Sequence, residues 1–301
     1  MQSETPTPSR QTQSFLRELF RQNGLSPKNN LGQNFLIDLN LVDLVAREAE
    51  LDSSDLVLEV GTGTGSLTSR LAASAGAVLT VEIDRKFQEF AQSNSGRPPH
   101  VTFFQGDALK SKNTFNPEVL AKLAELQTTF KTKRLKLVAN LPYAVATPVI
   151  SNLLMGDLNW ERMVVMVQWE IAEKFIATPS TKEYGALAIL TQSLADIEIL
   201  RQLPPDVFWP KPKVNSGIVR IRPNAAKRAA VPDVGRFRIF LRDLYAHRRK
   251  NLRGGLLSLP GIDKDKARVD STLARLGYAG TERAETLNLA QHVELCEAFL
   301  R

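Results

Sequence analysis

The sequence predicts an α/β fold: an open, largely parallel sheet with helices on both faces, followed by a small all-helical domain. Three observations carry that expectation. The apolar run Leu56-Val57-Leu58-Glu59-Val60 breaks into Gly61-Thr62-Gly63-Thr64-Gly65 and resumes as helix from Ser66. A second buried strand at 77–84 completes a βαβ unit. From about Ala225 onward the apolar spacing is helical, punctuated by Pro232, Pro260 and Gly277.

Composition narrows the function classes. A chain of 301 residues with 43% hydrophobic content can bury the core of one large domain and one small one. It has no run of about 18 apolar residues and no apolar secretory core at its N-terminus, so neither membrane nor export is expected. Cys296 is the only cysteine, which excludes an intrachain disulfide and fits a reducing cytoplasm. His100, His247 and His292 lack metal-ligand spacing and read as surface residues, so no metal site is expected. The net charge of +7 is uneven: residues 1–200 carry 19 Lys+Arg against 22 Asp+Glu, residues 201–301 carry 20 against 10. A basic last third points to a polyanionic partner, most simply nucleic acid.

Taken in order, residues 1–11 are rich in Ser, Thr, Pro and Gln and are expected to be disordered. Phe15–Phe20 has helical periodicity, ending near Asn23-Gly24. Residues 1–25 therefore form an N-terminal extension, 26–224 the ligand-binding domain and 225–301 the helical domain. The segment 28–36 precedes a helix from about Leu39 to Glu50, which Asp38 can cap; its amides, Gln33 and Asn34, suit a lid over a zwitterionic ligand.

In the glycine loop, Gly61, Gly63 and Gly65 can take φ > 0 and let a ligand lie against the main chain at a helix N-terminus. The dinucleotide fingerprint is G-x-G-x-x-G; here the third glycine comes one residue early, which argues against NAD. Glu82, near the tip of the second strand, is the candidate for binding ribose hydroxyls, with Asp84 in reserve. After a helix over 85–94 and a strand over 101–105, Asp107 sits at a third strand tip, placed to accept from an adenine amino group. Residues 116–130 read as an inserted helix with Pro117 at its first position. The strand 135–139 then runs into Asn140-Leu141-Pro142-Tyr143, which offers a side-chain carbonyl, fixed backbone carbonyls and a π-face in one small volume. The C-terminal helices are expected over 234–246, 248–257, 264–276 and 290–300.

With these pieces assembled, the chain resembles the class I S-adenosylmethionine-dependent methyltransferases, and within them the ribosomal small-subunit RNA adenine N6-dimethyltransferases. The resemblance spans about residues 26–301. Besides the glycine loop and 140–143, it rests on Leu31-Gly32-Gln33-Asn34-Phe35-Leu36, the segment 203–216, the basic Arg248-Arg249-Lys250-Asn251-Leu252-Arg253 and Arg283-Ala284-Glu285-Thr286-Leu287. Departures are Thr62 where the family usually has Pro, Ala144 where it has Asn, Trp169-Glu170 where it has Lys-Glu, and a longer insertion between Asp107 and Asn140.

The resemblance implies that Asn34, Leu36, Gly61, Gly63, Glu82, Asp107, Ala108 and Asn140 bind S-adenosylmethionine. Asn140 and Leu141 would also hold the target amine, with Tyr143 and Phe208 stacking on the adenine. A basic helix bearing Arg248, Arg249, Lys250 and Arg253 would meet RNA phosphates. The implied protein is a cytoplasmic monomer acting on the rRNA of an immature small subunit and giving N6,N6-dimethyladenosine. The rivals are a large-subunit rRNA dimethyltransferase, a non-catalytic assembly factor on the same fold and an NAD-dependent oxidoreductase.

Overall fold

The computed structural model describes residues 12–28, 31–261 and 265–299. The stretch 1–11, for which disorder is expected, lies outside the described residues.

Seven strands form the main sheet: β1 (Asp55–Val60), β2 (Ala77–Glu82), β3 (Val101–Gln105), β4 (Arg134–Asn140), β5 (Trp160–Gln168), β6 (Ala195–Leu203) and β7 (Ser216–Pro223). They lie in the order β3-β2-β1-β4-β5-β7-β6. The first five are parallel, with Val60 opposite Val81 and Asn140 opposite Met166, while β7 runs antiparallel to β5. Every residue of β1 and β2 is buried, as expected for parallel strands covered on both faces, and this is why both read as mainly apolar runs, broken by Asp55 and Glu59 in β1 and by Thr80 and Glu82 in β2. The strand order reverses between β1 and β4, and ligands of open α/β sheets bind beyond the carboxyl ends at such a switch point. The glycine loop follows β1, and Asn140 ends β4.

Charge enters the sheet at the starting ends of the same two central strands. Lys136, 1% exposed, sits in β4 with its Nζ 3.1 Å from Asp55 Oδ2. The same ammonium donates to the carbonyls of Ala49, at 3.1 Å, and Glu50, at 2.7 Å. Those carbonyls follow the helix Leu39–Glu48, which Asp38 caps as expected, so a buried cation satisfies acceptors left over at a helix end.

The chain divides into two compact units: the residues up to Ala172 with Glu198–Arg222, and Glu173–Ile197 with the residues from Pro223 on. Residues 173–197, which the sequence reading grouped with the sheet, thus fall in the second unit. The reason is packing remote in sequence: Ala188, Ile189, Leu190 and Thr191 are buried on the helix Ala186–Gln192, which packs on the helices Val234–Ala246 and Leu289–Phe299. The expected helix over 248–257 is shorter. Residues 247–250 form a turn, and Asn251, accepting from Gly254 N–H at 2.9 Å, starts a helix only at Leu252.

His292 is fully buried rather than at the surface. Its Nδ1 lies 2.8 Å from the Asn288 carbonyl, which can only accept, so Nδ1 carries the proton; Nε2 lies 3.2 Å from Tyr245 Oη. Burial pushes its pKa down to about 4. The unfolded chain therefore binds this proton first, and stability is full above about pH 6.5 and falls as pH drops towards 4. That loss is at most on the order of 3 kcal/mol, and His292→Gln is expected to flatten the dependence of Tm on pH across this window.

Candidate active site

The glycine loop is shaped by backbone that only glycine adopts freely. Gly61 has φ +91° and donates to the Val81 carbonyl at 2.8 Å, and a Cβ on it would meet Pro142 Cδ at 3.1 Å. Gly61 thereby lies directly against the turn that carries Asn140. Gly63 has φ +56°, and its N–H donates to Glu82 Oε2 at 3.0 Å.

Glu82 is held at both oxygens, because Oε1 accepts from Asp84 N–H at 3.0 Å. A carboxylate has about four lone-pair positions, so two backbone donors leave acceptors for ligand hydroxyls. Burial raises its pKa against the pull of those two N–H groups. Asp84 is committed elsewhere. It caps the helix Arg85–Asn94, pairs with Lys28 Nζ at 2.8 Å and takes Gln33 Nε2 at 3.4 Å. Burial alone would raise the Asp84 carboxyl, but the bonds from Lys28 and Lys86 N–H hold it below its usual value. Between the two acids considered, Glu82 is the one on the cavity wall.

Sequence reasoning missed Glu59. It is buried, and both its hydrogen bonds converge on Oε2, from Thr68 Oγ1 and Thr80 Oγ1, each at 2.6 Å. Thr62 Oγ1 lies 2.6 Å from Thr80 Oγ1 and supplies the proton there, so the departure from Pro at position 62 has a local role. Burial pushes the Glu59 pKa up to about 8. The acid faces a side cavity of about 50 Å³ that Gly61 and Asn140 also line. The signal was an acid inside an otherwise apolar strand.

The main cavity, about 280 Å³, gathers Asn34, Gly61, Gly63, Glu82, Asp107, Ala108, Asn140, Leu141 and Tyr143 on one wall system. Asn140 Nδ2 donates to the Asn34 carbonyl at 2.9 Å. That bond fixes the amide and leaves Oδ1 as the acceptor this side chain can offer. Tyr143 Oη is 2.7 Å from Ser216 Oγ, which pins the ring, and burial pushes the phenol up. Asp107 Oδ1 accepts from Leu109 N–H at 2.9 Å, while Asn116 Nδ2 ties the Asp107 carbonyl at 3.0 Å.

Two expected site residues are placed differently. Phe208, 2% exposed, and Leu36 pair across a two-residue antiparallel ribbon and pack into the core with Val42, Val138 and Met166. Phe208 is not on the main cavity wall, so the expected second stacking face is packed inside in this structure; Leu36 lines the side cavity instead.

In the second unit the basic residues also separate. The Arg248 guanidinium pairs with Glu285 Oε2 at 2.5 Å and donates to the carbonyls of Thr181 and Lys182. Arg253 makes a two-pronged pair with Asp270. Lys250 Nζ reaches Ser258 Oγ at 2.7 Å but stays exposed, and Arg249 is exposed with no ion pair among the described residues. Among the described residues no cluster of His, Cys, Asp and Glu could hold a metal, and no helix is long and apolar enough to cross a membrane.

A profile of the family described as ribosomal RNA adenine dimethylase matches residues 24–293. The chain is 36% identical to the ribosomal RNA small subunit methyltransferase A of Pelotomaculum thermopropionicum, covering 95% of this chain and 96% of that protein. It is 34% identical to the protein of the same name from Geobacillus kaustophilus, covering 99% and 98%. A solved dimethyladenosine transferase from Plasmodium falciparum is similar at TM-score 0.70 and 23% identity, covering 87% of this chain and 95% of that one. The 23S rRNA methyltransferase ErmE is similar at TM-score 0.61 and 24% identity, covering 89% and 100%. At such identities the two structures speak for the fold alone.

Proposed function

The chain belongs to the ribosomal RNA adenine dimethylase family, and from that premise we propose that it methylates N6 of two adjacent adenosines near the 3′ end of small-subunit rRNA. The donor is S-adenosylmethionine, the product N6,N6-dimethyladenosine, and the setting small-subunit biogenesis in the cytoplasm, with the protein acting as a monomer. The observation that carries the reading is the fixed Asn140 amide beside Leu141 and Tyr143 on the wall that also bears Glu82.

The residues fit the cofactor. Glu82 keeps lone pairs for ribose hydroxyls, Asp107 for an adenine amino group, and the glycine backbone admits close approach. S-adenosylmethionine, when bound, supplies an electrophilic methyl group. The chain's own task is to make a poor nucleophile attack. The adenine N6 lone pair is delocalised into its ring; acceptance of its two N–H bonds by Asn140 Oδ1 and the Leu141 carbonyl gives the nitrogen pyramidal character and turns its lone pair out of the ring plane. Alignment is the main device. The nitrogen becomes strongly acidic as the new bond forms and can lose its proton afterwards, so no side-chain base is needed; no histidine lines the cavity. Tyr143 offers a stacking face worth about 1–3 kcal/mol per base, offsetting the cost of unstacking the target.

Incubating unmodified small ribosomal subunits with labelled methyl donor is expected to place label on N6 of two adjacent adenosines near the rRNA 3′ end. Label on large-subunit RNA, or none, would overturn the reading. Arg249→Glu with Lys250→Glu is expected to weaken subunit binding and make its log-log salt dependence shallower by about one to two phosphate contacts, with cofactor affinity unchanged. Equal loss of both affinities counts against a phosphate-contacting role.

A further inference from the structure

Resting on that reading of the cavity, we propose that the helix Gln13–Gln22 supports the methyl-donor site from behind and that Phe20 is a positioning residue for the glycine loop. The family profile begins at residue 24, so this helix precedes the matched region. It is nevertheless built into the first unit. Thr12 caps it, accepting from Phe15 N–H at 3.1 Å, and Leu16 and Phe20, four residues apart on one face, are 0% and 2% exposed.

The Phe20 ring meets two others edge-on: Phe35 at 5.1 Å and 84°, and Phe87 at 5.2 Å and 70°. Phe35 in turn stacks on Phe87 at 4.8 Å and 30°. These are the geometries aromatic pairs prefer. Phe35 is the member of the trio that lines the cavity, and its ring lies 3.2 Å from where a Cβ on Gly63 would stand. Gly63, held at φ +56°, donates the N–H that orients Glu82. A continuous line of contact thus runs from Phe20 through Phe35 and Gly63 to the carboxylate assigned to the ribose.

After the helix the chain is anchored at three points. Leu25 N–H returns to the Phe20 carbonyl at 2.8 Å, Lys86 Nζ reaches the Gly24 carbonyl at 3.4 Å, and Lys28 pairs with Asp84 at 2.8 Å. Removing the Phe20 ring opens space behind Phe35. Phe35 can then swing away from Gly63, and the loop loses the surface that holds its N–H on Glu82.

Calorimetric titration of the full chain with S-adenosylhomocysteine tests this. Phe20→Ala is expected to raise Kd about tenfold and Phe20→Leu about threefold, while kcat at saturating donor and KM for the small subunit stay within about twofold. Leu123→Ala, a comparable core truncation in the helix Pro117–Thr129, should lower Tm and leave Kd unchanged. The proposal is overturned if Phe20→Ala binds like the wild type or if Leu123→Ala weakens binding equally. Should Phe20→Ala fail to fold, Phe20→Leu with wild-type Kd overturns it. A wild-type chain that does not bind the probe sinks the methyltransferase reading together with this one, whereas the other outcomes sink this one alone.

Discussion

Asn140→Ala is expected to lower turnover on small-subunit rRNA by about 10²–10³-fold at saturating donor, the loss of about 3–4 kcal/mol typical for removal of one preorganised transition-state acceptor or donor. The size of the effect follows from how the side chain is held. Its amide is aimed before any substrate arrives, because Nδ2 is committed to the Asn34 carbonyl and the residue ends a buried strand. A water admitted in place of the amide can accept from N6 but is not fixed, so the alignment advantage disappears. Single-turnover rates at saturating donor separate this from weakened cofactor binding, and a thermal melt controls for folding. An alanine variant that methylates at the wild-type rate would remove the basis of the mechanism.

The parts of the site that sequence exposes are those fixed locally. Glycines after a strand, an acid near the next strand's tip, and an Asn-Leu-Pro-Tyr turn each imply their own backbone, and the sheet brings Gly61, Gly63, Glu82, Asp107, Asn140 and Tyr143 to one cavity. The unpredicted features depend on partners distant in the chain. An aromatic in a proline-rich segment such as Phe208 looks available for stacking until Leu36, some 170 positions earlier, pairs with it across a ribbon and draws it into the core. His292 looks superficial because its burial brings it against Tyr245, 47 positions earlier. Arg248 and Arg253 look like phosphate ligands until Glu285 and Asp270 occupy their guanidinium groups. The strands β5, β6 and β7 are not drawn from the sequence, although the segment 203–216 runs from the last residue of β6 to the first of β7.

The same substitution at two neighbouring acids is expected to have opposite results. Glu82 accepts at both oxygens, Oε2 from Gly63 N–H and Oε1 from Asp84 N–H. In Glu82→Gln one of these backbone donors must face an amide NH₂, so the loop relaxes as much as it would for alanine, and Kd for S-adenosylhomocysteine is expected to rise about 10²-fold or more. Glu59 receives both threonine hydroxyls at Oε2 alone. With its pKa near 8 the carboxyl carries a proton at neutral pH, and since both threonine hydroxyls donate to Oε2, that proton belongs on Oε1. Glu59→Gln reproduces this arrangement, an acceptor at one end and a donor at the other. Because the folded-state pKa lies above the usual 4.5, the wild type loses stability as pH rises from about 4.5 towards 8. Gln does not titrate, so Glu59→Gln is expected to match the wild type in stability near pH 5 and exceed it near pH 8.5, by a few kcal/mol at most. Calorimetric Kd for the Glu82 variant and Tm against pH for the Glu59 variant decide the matter. If Glu82→Gln keeps wild-type affinity, the two-donor grip is not what holds the loop; if Glu59→Gln melts below the wild type at pH 8.5, burial does not raise the Glu59 carboxyl and the ionised form is stabilised in the core.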